Sequence, residues 1–340
     1  MATTEMKTDA FHAGMRRAGL RALWERTIGN EREPESETPR LWRWAEIEPL
    51  LDQAVAATSM DSAERRVLSL HNPDFDQLKG SCVTTNLNCG FQVLMPGETA
   101  RVHRHTADAL RFVVEGEGAR TVVDGKDCPM ALHDLILTPG WAWHKHVHEG
   151  DARIVWLDSL DVPFMRYLDC QFFDPGPEDN FPPLPDDAAY RGGGVVPQPD
   201  AEEGAGVGYS PLLRYPWGDV EAAFAAMRPA ADGSKRVRYT NPETGGPAMR
   251  LFDVYALALA KGCATRPFRS TANAFCLVVE GAGTTRVGEE TIAWSRHDLF
   301  TLPHWNWISH NAEAGDARLF IGTDREILLR LGLLREETGG

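Results

Sequence analysis

The spacing of apolar positions along the chain changes character twice. Among residues 11–28, Met15, Leu20, Leu23 and Trp24 recur between basic residues at helical spacing. Ile47, Leu50, Leu51 and Val55 do the same from Trp44 to Ala57, after an acidic, proline-containing break at 31–39. The spacing therefore predicts an N-terminal helical region over 1–60. From Arg66 the pattern becomes short apolar runs between turn signals, at 67–70, 81–87, 91–94, 110–114, 135–137 and 153–157. Many short strands at regular spacing predict a mainly β antiparallel barrel over 61–171. Residues 172–218 are rich in Pro, Gly and Asp and read as an extended linker. With a short helix at 220–227 the linker region runs over 172–230, and a second strand-rich block fills 231–340.

The second block repeats the first. Gly262 falls on Gly97, Glu280-Gly281 on Glu115-Gly116, and Gly283 on Gly118. One deletion later, His297-Asp298-Leu299 falls on His133-Asp134-Leu135, Pro303 on Pro139, and Trp305 and Trp307 on Trp141 and Trp143. The word Gly315-Asp316-Ala317-Arg318 repeats Gly150-Asp151-Ala152-Arg153. Two barrels of one kind follow.

The repeat acts as an internal control on the chemistry. His103 and His105 stand two apart on a strand, so they share a face, and His144 arrives after a later strand. Three imidazoles suit iron, zinc, copper or nickel. The copy has Phe268, Ser270 and Ile308 at these places. The barrel folds without the histidines, so the metal-ligating reading outweighs the ordinary-histidine one and only the first half should be active. Arg111 interrupts an apolar strand where the copy has Cys276; a buried guanidinium needs an anion, either a protein carboxylate or a substrate's. Gln92, aligned with Leu257, should point into the barrel and line the pocket, with Asn88 and Gly90 on the same face. Gly90 has Tyr255 as its counterpart in the copy and either leaves room for a ligand or marks a strand bulge. Asp158, set against Thr323, could hold a histidine or arginine, or cap a turn at a strand end. Arg66 is a second arginine candidate for the pocket, with Arg65 beside it leaving the strand parity open. Trp141, Trp143, Asp134 and their counterparts recur in both halves and read as rim packing and turns.

A net charge of -14 speaks against nucleic acid or an anionic membrane as partner. No stretch is long and apolar enough to span a bilayer, and the N-terminus has no signal-peptide core. Six cysteines without CxxC spacing then read as free thiols of a cytoplasmic protein.

Gly97, five residues, His103-Arg104-His105, Glu115-Gly116, then Pro139 and His144 five residues later, resemble the cupin pattern. A glutamate ligand common in cupins is missing, with Ala109 or Leu110 in its place. That three-histidine state and the words HRHTADALRFVVEGEGA, LTPGWAWH and VWLDSLDVP resemble the gentisate 1,2-dioxygenase group, whose members act on gentisate, salicylate, 5-nitrosalicylate and 1-hydroxy-2-naphthoate. The resemblance implies a bicupin of two double-stranded β-helices. It implies one Fe(II) per chain on His103, His105 and His144, and extradiol-type ring opening with O2 between the carboxyl- and hydroxyl-bearing carbons. It further implies Arg111 against the aromatic acid's carboxylate, His146 as an acid/base beside the metal, and a homotetramer. His310 stands at His146's place in the copy, which supports a structural role equally. Asn88 and Gly90 depart from strict gentisate enzymes and point to a salicylate, among them 5-substituted ones. A small-acid or sugar-binding bicupin without catalysis, and a zinc isomerase, are the alternatives.

Overall fold

The computed structural model describes residues 2–22, 24, 37–76, 80–176, 187–192, 195–197 and 210–339. It divides into two units, residues 1–35 and 36–340. In the first unit, helix α1 (Ala2–Arg17) begins earlier than the apolar spacing indicated and stops sooner. Gly19 takes a left-handed φ of 69°, and the Leu20 N–H donates back to the Met15 carbonyl at 2.8 Å, which ends the helix where the spacing alone would carry it on to residue 28. The later part of that predicted helix, apart from Trp24, and most of the acidic break lie outside the described residues.

The second unit opens with β1 (Leu41–Trp42), α2 (Trp44–Ala57), α3 (Met60–Ala63) and β2 (Val67–Ser69). The first barrel continues through β3 (Asn88–Leu94), β4 (Thr99–His105), β5 (Ala109–Glu115), β6 (Ala119–Val123), β7 (Lys126–Met130), β8 (Leu135–Thr138), β9 (His144–His148) and β10 (Ile154–Leu160). Then come α4 (Val162–Tyr167), β11 (Phe173–Pro175), β12 (Arg214–Tyr215) and α5 (Trp217–Ala226). The second barrel comprises β13 (Lys235–Arg238), β14 (Asp253–Leu259), β15 (Cys263–Ala264), β16 (Phe268–Ser270), β17 (Ala274–Glu280), β18 (Ala282–Val287), β19 (Glu290–Ser295), β20 (Leu299–Leu302), β21 (Ile308–Ala312) and β22 (Ala317–Thr323). Helix α6 (Arg325–Arg330) and β23 (Glu336–Thr338) close the chain.

Each barrel is two facing antiparallel sheets: β12-β8-β5-β10-β3-β2 against β11-β4-β9-β6-β7, and β1-β20-β17-β22-β14-β13 against β19-β18-β21-β16-β23. The strand predicted at 81–87 is instead a bend, in which the Val83 and Thr84 N–H groups both donate to the Leu87 carbonyl. The region read as a linker contributes two strands to the first barrel, β11 and β12; residues 177–186, 193–194 and 198–209 of it lie outside the described residues.

The six-stranded sheets of the two barrels pack back to back. Phe112 on β5 stacks on Phe320 of β22 with ring centroids 4.1 Å apart. This explains the near-continuous apolar runs of β5, β10 and β22: one face fills the seam between barrels and the other lines a barrel interior.

The barrels also exchange arms. β1, which precedes the first barrel in sequence, pairs with β20 of the second, and β12, which precedes the second, pairs with β8 of the first. Asp298 receives the Trp44 N–H at 2.9 Å and pairs with Arg43, while Asp134 receives the Trp217 N–H at 3.0 Å and pairs with Arg214. The repeated aspartates are therefore helix anchors as well as turn residues, each satisfying an otherwise orphaned N–H at the start of α2 or α5. Asp134→Ala should lower unfolding free energy by about 2 kcal/mol, the combined effect of a lost cap and a half-buried ion pair. Denaturant titration checks this; an unchanged midpoint would show that the arm holds by apolar packing alone.

Candidate metal centre

Strand register decides which residues share the first barrel's interior, because partners directly opposite on antiparallel strands point to one face. Gly90, Asp158 and Arg111 form one such row across β3, β10 and β5, and Gln92 and Trp156 belong to the next. Trp156 lies 5.3 Å from the His146 ring, which places this face toward the histidines of β4 and β9.

His103, His105 and His144 converge, each offering a ring nitrogen within 4.8 Å of the others'. Every one of the three is oriented by the backbone. His103 Nδ1–H donates to the Arg101 carbonyl at 2.9 Å, His105 to Ala107 at 2.8 Å, and His144 to Ala142 at 2.9 Å. Pinning the proton on Nδ1 leaves each Nε2 lone pair for a ligand bond, and the partner raises its basicity. The His144 Nε2 is buried with no hydrogen-bond partner. Burial, reinforced by Arg65, holds His103 down at about 3; burial and Arg111 hold His105 at about 4; burial drives His144 far lower than ordinary histidine. All three are neutral imidazoles at neutral pH, the state that binds a metal. The residues present fit a divalent ion.

The turn that delivers His144 belongs to the fold. Trp141 sits at φ 70° and donates its N–H to the His105 carbonyl at 2.7 Å, and Trp305 does the same toward Ser270 at φ 60°. Arg104 lies 4.2 Å over both Trp141 and Trp143, as Arg269 lies over Trp305 and Trp307. The tryptophans are rim packing in both barrels.

His146 is fully buried, 6.0 Å from His144 between ring centroids, and bonded through Nδ1 to the Thr121 hydroxyl at 2.9 Å. The second barrel repeats this pair as His310 and Thr285 at 2.8 Å. The hydrogen bond is thus a scaffold feature. Both rings leave a buried Nε2 without a partner; what distinguishes His146 is the three-histidine cluster beside it.

Arg111 pairs with Asp158, Nε to Oδ1 at 3.1 Å, and also donates to the Thr138 hydroxyl. The protein carboxylate required by a buried guanidinium is therefore present. Asp158 lies within β10 and not at its end, so the turn-capping reading falls. Its counterpart is not Thr323. Arg111 pairs with Asp158 where Cys276 pairs with Ile321, which makes Ile321 the equivalent. The two identical Gly-Asp-Ala-Arg words are two residues out of structural register, because the deletion ahead of His297 and a loop before β22 one residue shorter than the loop before β10 each remove one residue from the second barrel.

Arg66 points away from the pocket, paired with Glu98 and donating to the Thr58 carbonyl. Val67 opposes Gln92 and Ser69 opposes Gly90, so the odd-numbered residues face inward and Arg65 continues that row. Its Nη1 donates to the His103 Nε2 at 2.6 Å. A metal taking that lone pair would release Arg65, whose positive charge is favoured by the negative charge of Asp158. The alternation Arg65, Val67, Ser69 was the signal that separates the two arginines.

Gly90 is not at a bulge, since β3 keeps unbroken register with β10 and β2. Nor does it face empty space: a Cβ there would lie 2.7 Å from Val67 Cγ1. Asn88 spends its side-chain oxygen on the Leu160 N–H at 3.1 Å, leaving its NH2 as a donor. Gln92 is buried with its Nε2 unpartnered. Phe173 on β11 stacks on His103 at 5.4 Å, a contact hidden in the supposed linker.

A cavity of about 430 Å³ opens beside His103, with Arg65, Arg101, Lys145 and Phe173 in its wall. Among the described residues, no helix is long and apolar enough to cross a membrane.

Residues 90–160 match the family model of the cupin domain. The chain is 36% identical over 338 residues to gentisate 1,2 dioxygenase 1 of Aquipseudomonas alcaligenes, covering 96% of this chain and 95% of that one. It is likewise 36% identical to 5-aminosalicylate 1,2-dioxygenase of a Comamonas species, over 97% of this chain and 90% of the relative. Among solved structures it resembles salicylate 1,2-dioxygenase of Pseudoaminobacter salicylatoxidans in its gentisate adduct, with a TM-score of 0.89, 30% identity, and coverage of 98% and 94%.

Proposed function

Since this chain belongs to the family of cupin ring-cleaving 1,2-dioxygenases that includes the gentisate and salicylate enzymes, we propose that it opens the ring of a 2-hydroxybenzoate at a ferrous ion held by His103, His105 and His144. The observation that carries this reading is the charge balance of the interior. Arg65 and Arg111 face one carboxylate, Asp158, and the metal ligands are all neutral. Adding a divalent ion leaves a strongly positive, buried site, which calls for an anionic ligand. An ortho hydroxyl and carboxylate can meet both metal and arginine, whereas a neutral sugar cannot offset the charge.

When bound, Fe(II) supplies open coordination positions for substrate and O2 and polarises the ring hydroxyl. The chain's own residues do the rest. Arg111, fixed by Asp158 and Thr138, presents its remaining guanidinium N–H groups to the substrate carboxylate. Arg65 closes the same side. His146, locked by Thr121 with Nε2 free, accepts the hydroxyl proton and returns it as the ring opens. Gln92 and Asn88 offer amide N–H groups to ring substituents. Trp156 and the apolar seam exclude bulk water. The bond broken lies between the carboxyl- and hydroxyl-bearing carbons, extradiol-type in that it falls outside any pair of ring hydroxyls.

Oxygen uptake with gentisate, salicylate and 5-nitrosalicylate after anaerobic Fe(II) loading tests the reading; no uptake with any of them at full iron would overturn it. Iron should bind at close to one per chain, since Phe268, Ser270 and Ile308 offer no ligand set, and a reproducible second iron in that barrel contradicts the argument from the repeat.

The ring preferred is proposed to be a salicylate with a 5-substituent other than hydroxyl. Gly90 lets Val67 stand against β3, and Gly90→Ala would push Val67 into the pocket. Gly90→Ala should lower the rate on 5-nitrosalicylate relative to gentisate, and Gly90→Ala with Val67→Ala should restore the ratio. A ratio unchanged in the single variant would show that this wall does not select the ring.

A further inference from the structure

The loop that follows His105 and the turn that leads to His144 are tied together by a charge. Asp108, only 1% exposed, accepts the Gly140 N–H through Oδ1 at 2.6 Å. His105, three residues before Asp108, takes its orientation from the Ala107 carbonyl, and His144 stands four residues after Gly140. One carboxylate therefore spans both segments that deliver these imidazoles. The Asp108 N–H donates to Asp161 Oδ1 at 2.9 Å, and burial together with the Asp108 charge raises the Asp161 carboxyl, so one negative charge stands here and not two. The cation that answers it comes from the other barrel: Arg250, in the bend before β14, donates through Nη2 to Asp108 Oδ1 at 2.7 Å. Gly140 is where the three segments meet. A Cβ there would lie 2.4 Å from the Thr106 carbonyl oxygen and 2.5 Å from Arg250 Nη2, so a side chain would push the loop or the bend aside.

The second barrel again serves as the control. Ala109 opposes Thr138 and Leu160 as Ala274 opposes Leu302 and Thr323, which sets Asp108 on Asn273, Gly140 on His304 and Asp161 on Asp324. Asn273 Oδ1 receives the His304 N–H at 2.9 Å, and the Asn273 N–H donates to Asp324 at 2.7 Å, so both hydrogen bonds are kept. What the copy drops is the charge. Asn88 opposes Leu160 as Asp253 opposes Thr323, so Arg250 falls on Thr85, whose N–H donates to Glu37 instead. The first barrel's bend reaches across through Asn86, a neutral donor to Asp324 at 2.8 Å. At these matched positions the charged pair belongs only to the barrel with the three histidines. A carboxylate held by a guanidinium fixes a backbone N–H more firmly than an amide oxygen does, and such support around metal ligands sets how closely they keep their geometry.

We infer that Asp108 and Arg250 are positioning residues for the metal, through which the barrel without ligands holds the His105 and His144 segments at ligating geometry. The inference rests on the three-histidine reading, but not on which ring is opened.

The test reads metal binding rather than turnover. Co(II) competed against a chromophoric chelator gives the affinity, and its visible spectrum reports ligand geometry. Asp108→Asn gives the first barrel the neutral acceptor of the second. It should melt close to wild type, yet bind Co(II) about 10- to 100-fold more weakly, with a shifted spectrum. Arg250→Thr should weaken binding at least as much, and Asp108→Asn with Arg250→Thr no more than the larger single effect, because either change cuts the same bridge. Asn86→Ala, which cuts the reciprocal bridge, should leave Co(II) affinity unchanged. Wild-type affinity and spectrum in Asp108→Asn would overturn the inference, as would equal weakening in Asn86→Ala. A wild-type protein that binds no Co(II) would overturn the three-histidine reading and this inference with it. Should Arg250→Thr strand its carboxylate and fail to fold, Asp108→Asn and the double variant decide the matter.

Discussion

His144→Ala is expected to lose iron and turnover together while the protein stays folded. The loss follows from ligand count. His103 and His105 come from one strand and grip an ion from one side; His144, from the neighbouring β9, closes the set, and two imidazoles without it leave the ion to water. The survival of the fold follows from the second barrel, where Ile308 occupies the same place opposite Phe268. Truncation removes the packing of the buried imidazole on His103 and its bond to the Ala142 carbonyl, but its Nε2 has no protein partner to lose in the metal-free protein. Metal analysis, oxygen uptake and thermal melting on one preparation check the expectation. A variant with full iron and full rate would remove His144 from the ligand set. One that unfolds even without metal would show that the barrel depends on this histidine after all.

The convergence of those three histidines was legible in the sequence because a metal site imposes residue type and spacing together, and because the repeat subtracts what folding alone requires. The same subtraction worked for the tryptophans; for Arg111 it marked a charge the fold does not require, and the structure supplies that charge with a protein carboxylate, Asp158. Subtraction failed for Asp158, since two single-residue deletions, one ahead of His297 and one in the loop before β22, shift strand register by two without changing the words Gly-Asp-Ala-Arg. Arg65 was obscured by its neighbour: two adjacent arginines point to opposite faces, and only the pairing of Val67 with Gln92 tells which is inside. The exchange of β1 and β12 between barrels left no periodic trace at all. Two-residue strands are too short to show alternation, and pairing partners more than 70 residues away in sequence cannot be read from local pattern. Phe173 was hidden by composition, because a strand edged with Pro and Asp resembles a loop until it finds the open edge of β4.

The Arg111–Asp158 pair gives the sharpest test of structural against functional charge. Its side chains are only 4% and 9% exposed, so Arg111→Leu strands a carboxylate in the interior. Breaking one side of such a pair costs about 3–5 kcal/mol. The cost should grow with pH. Burial already raises the Asp158 pKa, and without the arginine it rises further above its unfolded value, so the folded variant holds a proton that the unfolded chain releases. Stability is then retained below the ordinary carboxylate range and lost as pH climbs through the folded pKa. The second barrel shows the repair: Cys276 beside Ile321 fills the same two positions without charge. Arg111→Cys combined with Asp158→Ile should therefore recover most of the stability that Arg111→Leu loses. It should not recover catalysis. A carboxylated substrate that loses a charge-assisted contact in a desolvated site forfeits about 2–5 kcal/mol, roughly 30-fold to several thousandfold in kcat/KM. Denaturant titration across pH and steady-state oxygen uptake on single and double variants separate the two roles. A stable double variant with normal kcat/KM would make the pair structural and leave the substrate carboxylate to Arg65 alone; a stable double variant that stays inactive assigns Arg111 to the substrate.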